Sequence, residues 1–280
     1  MKTIILLLIN LTIITGWLQA QEEPATSEKE KPDKPERAAF EDQWLINNPT
    51  NVVNTKGTFE FSIQHRFGTF NGGNNDLIGI WAPSNIRLGF SYSIHDRATL
   101  GFGTTKDNRL QDFNLKAAIF RQTRSGSIPV SVSYYGEMAI DSRDGSNFLN
   151  SSDRFSYFHS LIVARRFTRQ VSFQVIPSLS HYNIVAPGLS NDVFSLAAGG
   201  RVKLSGQVAI IADYSQPITQ GSDNPGVSLG IEMSTGLHVF QIFVGNYNGI
   251  VPQKNYMFNI NDVSNGDFLI GFNITRKWNF

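Results

Sequence analysis

The chain has 280 residues, no cysteine, and 24 basic against 23 acidic residues, a formal charge of +1. Without cysteine there is no disulfide scaffold, thiolate zinc site, iron–sulfur cluster or sulfur-linked haem or lipid, and near-neutrality excludes the footprint of a nucleic-acid binder. A hydrophobic share of 41% with 17% charged residues fits a folded chain, and 21 Phe, 8 Tyr and 24 Gly point to many strands and tight turns.

Lys2, the apolar run from Ile4 to Ile14 and the small residue at Leu18-Gln19-Ala20 form the three parts of a secretory signal peptide, expected over 1–20. Its apolar core is too short to span a bilayer. Residues 21–39, QEEPATSEKEKPDKPERAA, contain no aromatic residue. They read as a disordered leader, because such a segment buries too little apolar surface to offset its chain entropy. From 40 to 57, Trp44, Leu45, Ile46, Val52 and Val53 supply apolar matter without a recognisable period.

A period of two begins at Thr58. Phe59, Phe61, Ile63 and Phe67 alternate with Glu60, Ser62, Gln64 and Arg66, and Ile86, Leu88, Phe90, Tyr92 and Ile94 continue the pattern. Each run is a strand with one apolar and one polar face. Comparable runs fall at 98–105, 111–121, 128–138, 155–167, 170–182, 193–204, 207–216, 226–235, 237–247 and 267–279. The lengths suit strands crossing a hydrocarbon layer at a slant.

Short connections, as at His95-Asp96-Arg97, Thr168-Arg169, Ser205-Gly206 and Thr235-Gly236, alternate with longer links at 68–85, 106–110, 139–154, 183–192, 217–225 and 248–266. That rhythm predicts an all-β fold: an antiparallel up-and-down transmembrane barrel of about twelve strands, over 58–280, in the bacterial outer membrane. The even strand number places both termini on the periplasmic side. A secreted sandwich also alternates, but its loops need not sort by length. Trp278 and the final Phe280 continue the apolar phase of Phe272 and Ile274. They resemble the signal read by the outer-membrane assembly machinery.

Several blocks resemble an uncharacterised family of Gram-negative outer-membrane barrels known as domain of unknown function 5777. They are His65-Arg66-Phe67-Gly68, SYFHSLIVARRF from Ser156 to Phe167, FQVIPSLSHYN from Phe173 to Asn183, TGLHVFQ from Thr235 to Gln241, and GDFLIGFNITR from Gly266 to Arg276. The resemblance implies a membrane barrel and no established activity.

Function is therefore sought in the residues. The lumen-lining polar set is Glu60, Arg66, Arg87, Asp112, Lys116, Glu137, Arg201, Lys203, Asp213 and Glu232. Its mixed signs predict a wet lumen cross-linked by ion pairs rather than a single-sign filter. Gly89, Gly101, Gly103 and Gly271 share the inward phase and mark where another piece of chain approaches the wall. Two segments could dock there: one led by Trp44, Leu45 and Ile46, the other spanning 77–83 with Ile78, Ile80 and Trp81. No histidine pair has metal-ligand spacing, so no metal, cofactor or catalytic residue is assigned, and a lipid hydrolase on the barrel wall lacks a fixed nucleophile and base. Two readings follow: a narrow channel for small solutes, or a filled, non-conducting barrel that anchors a periplasmic partner through 21–39. The resemblance implies an electron carrier as a lead for that partner. The remaining partners expected are outer-membrane lipid and the assembly machinery.

Overall fold

The computed structural model describes residues 33–280, so the segment expected as a signal peptide and the start of the leader lie outside the described residues. A two-residue hairpin comes first, β1 (Trp44–Leu45) paired with β2 (Asn48–Pro49). Six strands follow: β3 (Thr58–Thr69), β4 (Asn85–His95), β5 (Ala98–Thr105), β6 (Leu110–Phe120), β7 (Ser131–Asp141) and β8 (Phe155–Arg166). The second six are β9 (Val171–Tyr182), β10 (Asp192–Lys203), β11 (Val208–Pro217), β12 (Gly226–Ser234), β13 (His238–Gly245) and β14 (Leu269–Asn279). Each pairs antiparallel with its chain neighbour, and β14 pairs with β3, closing a twelve-stranded barrel. One short helix, α1 (Pro252–Phe258), interrupts the last long link.

The alternation decides which face points where. Leu100, Phe113, Leu161, Phe173, Leu196, Ile210, Leu229 and Ile242 are exposed on the outside, while Glu60, Gln64, Arg66, Asp112, Gln174 and Glu232 are buried inside. A water-soluble protein arranges these classes the other way round. Closure leaves no unpaired edge, which is what hydrocarbon demands of a backbone. Pro177 lies within β9, and the ladder to β8 omits the pairs opposite Ile176 and Pro177. A missing N–H at that point accounts for the gap.

The lumen differs from the wet interior expected from the sequence. Inward positions of β8 and β9 carry no charge between Ser156 and Ala164 or between Ser172 and Ser180. Phe158, Ile162 and Ile176 face inward there and pack with Trp44, Tyr135, Ala197 and Tyr256. The tight buried ion pairs lie elsewhere on the circumference, where Arg87 meets Asp112 at 2.6 Å and Arg201 meets Glu232 at 2.6 Å.

The leader also differs. Residues 33–36 are held against the 121–130 link rather than disordered: Pro35 bridges Thr123, and Glu36 N donates to Gln122 O at 2.7 Å. Asp33 accepts hydrogen bonds from Ser125 and Ser127, which hold its carboxyl below the ordinary value.

Candidate functional site

The segment Ala39–Val52 enters the barrel at the end that carries the short turns and fills it. Leu45 and Ile46 are fully buried, clustered with Ala39, Phe40, Val52, Ala164, Ile211 and Phe243. The hairpin turns at Ile46-Asn47, with Ile46 at φ 54°. A two-residue hairpin favours Asn-Gly at such a place, and a β-branched residue there is strained by about 1–2 kcal/mol. Three wall contacts hold it: Ile46 N donates to Gln241 Oε1 at 3.2 Å, and Ile46 O accepts from Asn273 Nδ2 at 2.9 Å and Arg66 Nη2 at 3.3 Å.

A hairpin this short satisfies few of its own backbone groups, and the wall supplies the partners. Gln43 O accepts from Lys116 Nζ at 2.7 Å, Trp44 O from Gln241 Nε2 at 2.9 Å, and Pro49 O from Gln174 Nε2 at 3.2 Å. Glu41 O accepts from Lys277 Nζ at 2.8 Å. Side chains complete the docking. Asp42 accepts from Thr275 at 2.7 Å, Gln43 Nε2 donates to Glu60 and Ser91 at 2.9 Å, and Asp213 accepts from Asn47 N at 2.9 Å and Asn48 Nδ2 at 3.2 Å. Between Gln43, Trp44 and the β3–β4 wall remains a pocket of about 20 Å3, room for roughly one water.

A second filling descends from the opposite end. In the 246–268 link, Tyr247, Ile250, Val251, Tyr256 and Met257 are buried. Val251 packs on Leu110 and Ala139, and Tyr256 stacks on Phe158 with ring centroids 5.7 Å apart. The Tyr256 hydroxyl donates to Asn48 Oδ1 at 2.5 Å, so the two fillings meet inside the barrel. Its length alone predicts 248–266 as a loop outside the barrel, whereas the structure turns it inward. Its signal was faint: a nearly uncharged stretch, GIVPQKNYMFNI, with proline at the first helical position.

Of the ten polar residues expected in the lumen, nine are buried there; Lys203 is half-buried at the short-turn rim and makes no ion pair among the described residues. Arg66, Lys116 and Asp213 touch the hairpin backbone directly, and Glu60 touches the Gln43 side chain. Arg201 lies 3.4 Å from Glu41. Arg87 and Asp112 instead brace the wall, and Glu137 accepts from the Tyr135 hydroxyl at 2.5 Å.

The glycines require a correction. Gly89 and Gly103 face each other across β4 and β5, and the space above them is taken by the Arg87 guanidinium on its way to Asp112. Above Gly101 lies Asn114, and above Gly271 lie Phe243 and Arg66. These glycines make room for long wall side chains, not for a plug. The hairpin's own glycine is Gly199 of β10, where an added Cβ would lie 2.5 Å from Leu45 Cδ2.

The second docking candidate is likewise elsewhere. Ile80 is exposed, and Trp81 is 70% exposed, in the compact 70–84 link outside the lumen. Left-handed Leu77 and Ile78 and a hydrogen bond from Gly68 N to Gly79 O at 3.0 Å fold that link back onto the end of β3. At the C-terminus, Trp278 packs against Phe59 with centroids 5.7 Å apart, and Phe280 is exposed.

A closed antiparallel barrel with an apolar exterior and an occupied polar interior is a transmembrane β-barrel. The chain belongs to the DUF5777 family, described as a membrane bound beta barrel domain, whose model matches residues 40–278. Among solved structures it is similar to the NanC porin, at 9% identity over 79% of this chain and 100% of that one, with a TM-score of 0.48. The KdgM porin is similar at 9% identity, covering 80% and 99%, with a TM-score of 0.45. An outer membrane channel from Pseudomonas putida F1 is similar at 12% identity, covering 81% and 97%, with a TM-score of 0.45. No curated protein matches in sequence.

Proposed function

We propose that the protein is an outer-membrane channel for small solutes, shut at rest by its own N-terminal hairpin, with both termini and the short turns in the periplasm. The observation that carries this reading is the chemistry of the seat. The hairpin's backbone is bonded by Lys116, Gln174, Gln241, Asn273 and Lys277, polar groups that water can satisfy once the hairpin withdraws. The Arg87–Asp112 and Arg201–Glu232 pairs do not depend on it. Withdrawal therefore leaves a braced, hydrated wall over most of the circumference, whereas a permanently filled barrel has no need of one.

Single-channel conductance in planar bilayers tests this. The mature chain should conduct weakly. Deleting 21–53 should raise conductance, and shortening 248–262 as well should raise it further, because the two fillings lie in series. Heat-modifiable migration on gels reports that each variant still folds. Folded single and double deletions that both stay silent would refute the channel and favour the sealed barrel that anchors a periplasmic partner.

A further inference from the structure

Where the N-terminal segment crosses the short-turn mouth, a cavity of about 580 Å3 lies beside it, within the size range of small-ligand sites. Its lining joins Glu36 and Arg37 of that segment, Arg124 of the 121–130 link, Arg166 at the end of β8, and Arg169 of the turn that follows. Four guanidinium groups thus face one carboxylate. Arg166 is oriented by its own turn, donating from Nε to Thr168 O at 3.2 Å and from Nη2 to Arg169 O at 3.4 Å. Its Nη1 lies 3.6 Å from Glu36 Oε1. The side chains of Arg37, Arg124 and Arg169 make no ion pair among the described residues.

The direction of the cavity follows from strand phase. Arg166 continues the inward series Ser156, Phe158, Ser160, Ile162 and Ala164, while Arg165 points outward over the Phe167 ring at 5.1 Å. The cluster therefore opens on the aqueous mouth rather than on lipid. Guanidinium forks match carboxylate and phosphoryl oxygens in pairs, and three positive charges in excess of Glu36 call for more than one anionic group.

We propose that this mouth binds a small soluble multivalent oxyanion, with two or more carboxylate or phosphoryl groups, which displaces Glu36 from Arg166. Binding here does not require the barrel to conduct, so it stands or falls apart from the channel reading. Isothermal titration of the mature chain in zwitterionic nanodiscs, with pyrophosphate and with citrate as probes, tests it. Saturable one-site binding is expected, weaker at high salt. It should weaken about tenfold or more in R124Q/R169Q, which keeps Arg166 and the backbone carbonyls of Thr168 and Arg169 that orient it, and strengthen in Glu36→Gln, which removes the competing carboxylate. Absence of saturable binding, or equal affinity in R124Q/R169Q, overturns the site. An unchanged affinity in Glu36→Gln overturns the displacement. Loss of pyrophosphate binding only in discs containing phosphatidylglycerol would make a lipid headgroup the occupant and overturn the soluble ligand.

Discussion

Gly199 offers the sharpest test of the seated hairpin. A Cβ there lies 2.5 Å from Leu45 Cδ2, whereas carbon atoms pack comfortably at roughly 3.5–4.0 Å. Gly199→Ala therefore needs the plug to retreat by about 1 Å. Leu45 is fully buried in the cluster with Phe40, Ile211 and Phe243, so a shift of its methyl presses on those neighbours. Overpacking of this kind costs about 1–3 kcal/mol, while replacing a strand glycine contributes about 0.5–1 kcal/mol in the opposite sense. The two effects fall on different parts of the molecule. The wall gains, so barrel stability should hold, while the seated hairpin should lose about 5- to 150-fold in population. With Trp17→Phe, Trp81→Phe and Trp278→Phe, Trp44 is the only tryptophan of the chain, and iodide quenching of its fluorescence reports the seat. Leu45→Ala added to Gly199→Ala should restore protection. Gly200→Ala is the control, since its Cβ meets nothing nearer than Phe173 at 3.8 Å. Equal quenching in Gly199→Ala and Gly200→Ala would refute the reasoning.

Asp112→Asn leaves Arg87 buried without its bidentate partner and should destabilise the barrel by about 3–5 kcal/mol, read as a lower urea midpoint. Leu229→Arg on the lipid face should cost about 2–4 kcal/mol if near the bilayer midplane, whereas Gln207→Arg at a short turn should leave heat-modifiable migration unchanged. A cysteine at Asn147 should react with impermeant maleimide on intact cells, and one at Gly206 only after permeabilisation; the reverse pattern would invert the proposed orientation. The lowered carboxyl of Asp33 gives a pH signature. A group depressed in the folded state stabilises above its unfolded value, about 3.9, and that contribution fades as pH falls through the folded value. The protection factor of the Glu36 amide, its exchange rate relative to the intrinsic rate at the same pH, should fall over that acidic range, and in Asp33→Asn it should be low throughout and show no such step.

The strands were legible because the barrel imposes one rule at every position. The run expected at 155–167 is β8, Phe155–Arg166, and that at 226–235 is β12, Gly226–Ser234. The largest slip is at β7, expected from 128 and found from Ser131. Ile128-Pro129-Val130 carries suitable apolar residues, but Pro129 cannot donate to a ladder. The interior was less legible. Phase gave Arg87 an inward direction, but not its reach across Gly103 to Asp112, two strands away. For the same reason the inward glycines were visible while their occupants were not. Residues 246–268 obey no period, since their partners are wall positions far away in sequence.

The hairpin is the first described element of the chain, yet it cannot be finished first. Its bonds to Asp213, Ser228, Thr275 and Lys277 span 166 to 236 residues. Contacts of such separation form late, after the intervening chain has been ordered. Several anchors also lie on β14, the strand that closes the ring against β3. Seating and closure thus converge on one folding step, and a nascent chain halted before β14 lacks the residues that would hold its own beginning in place.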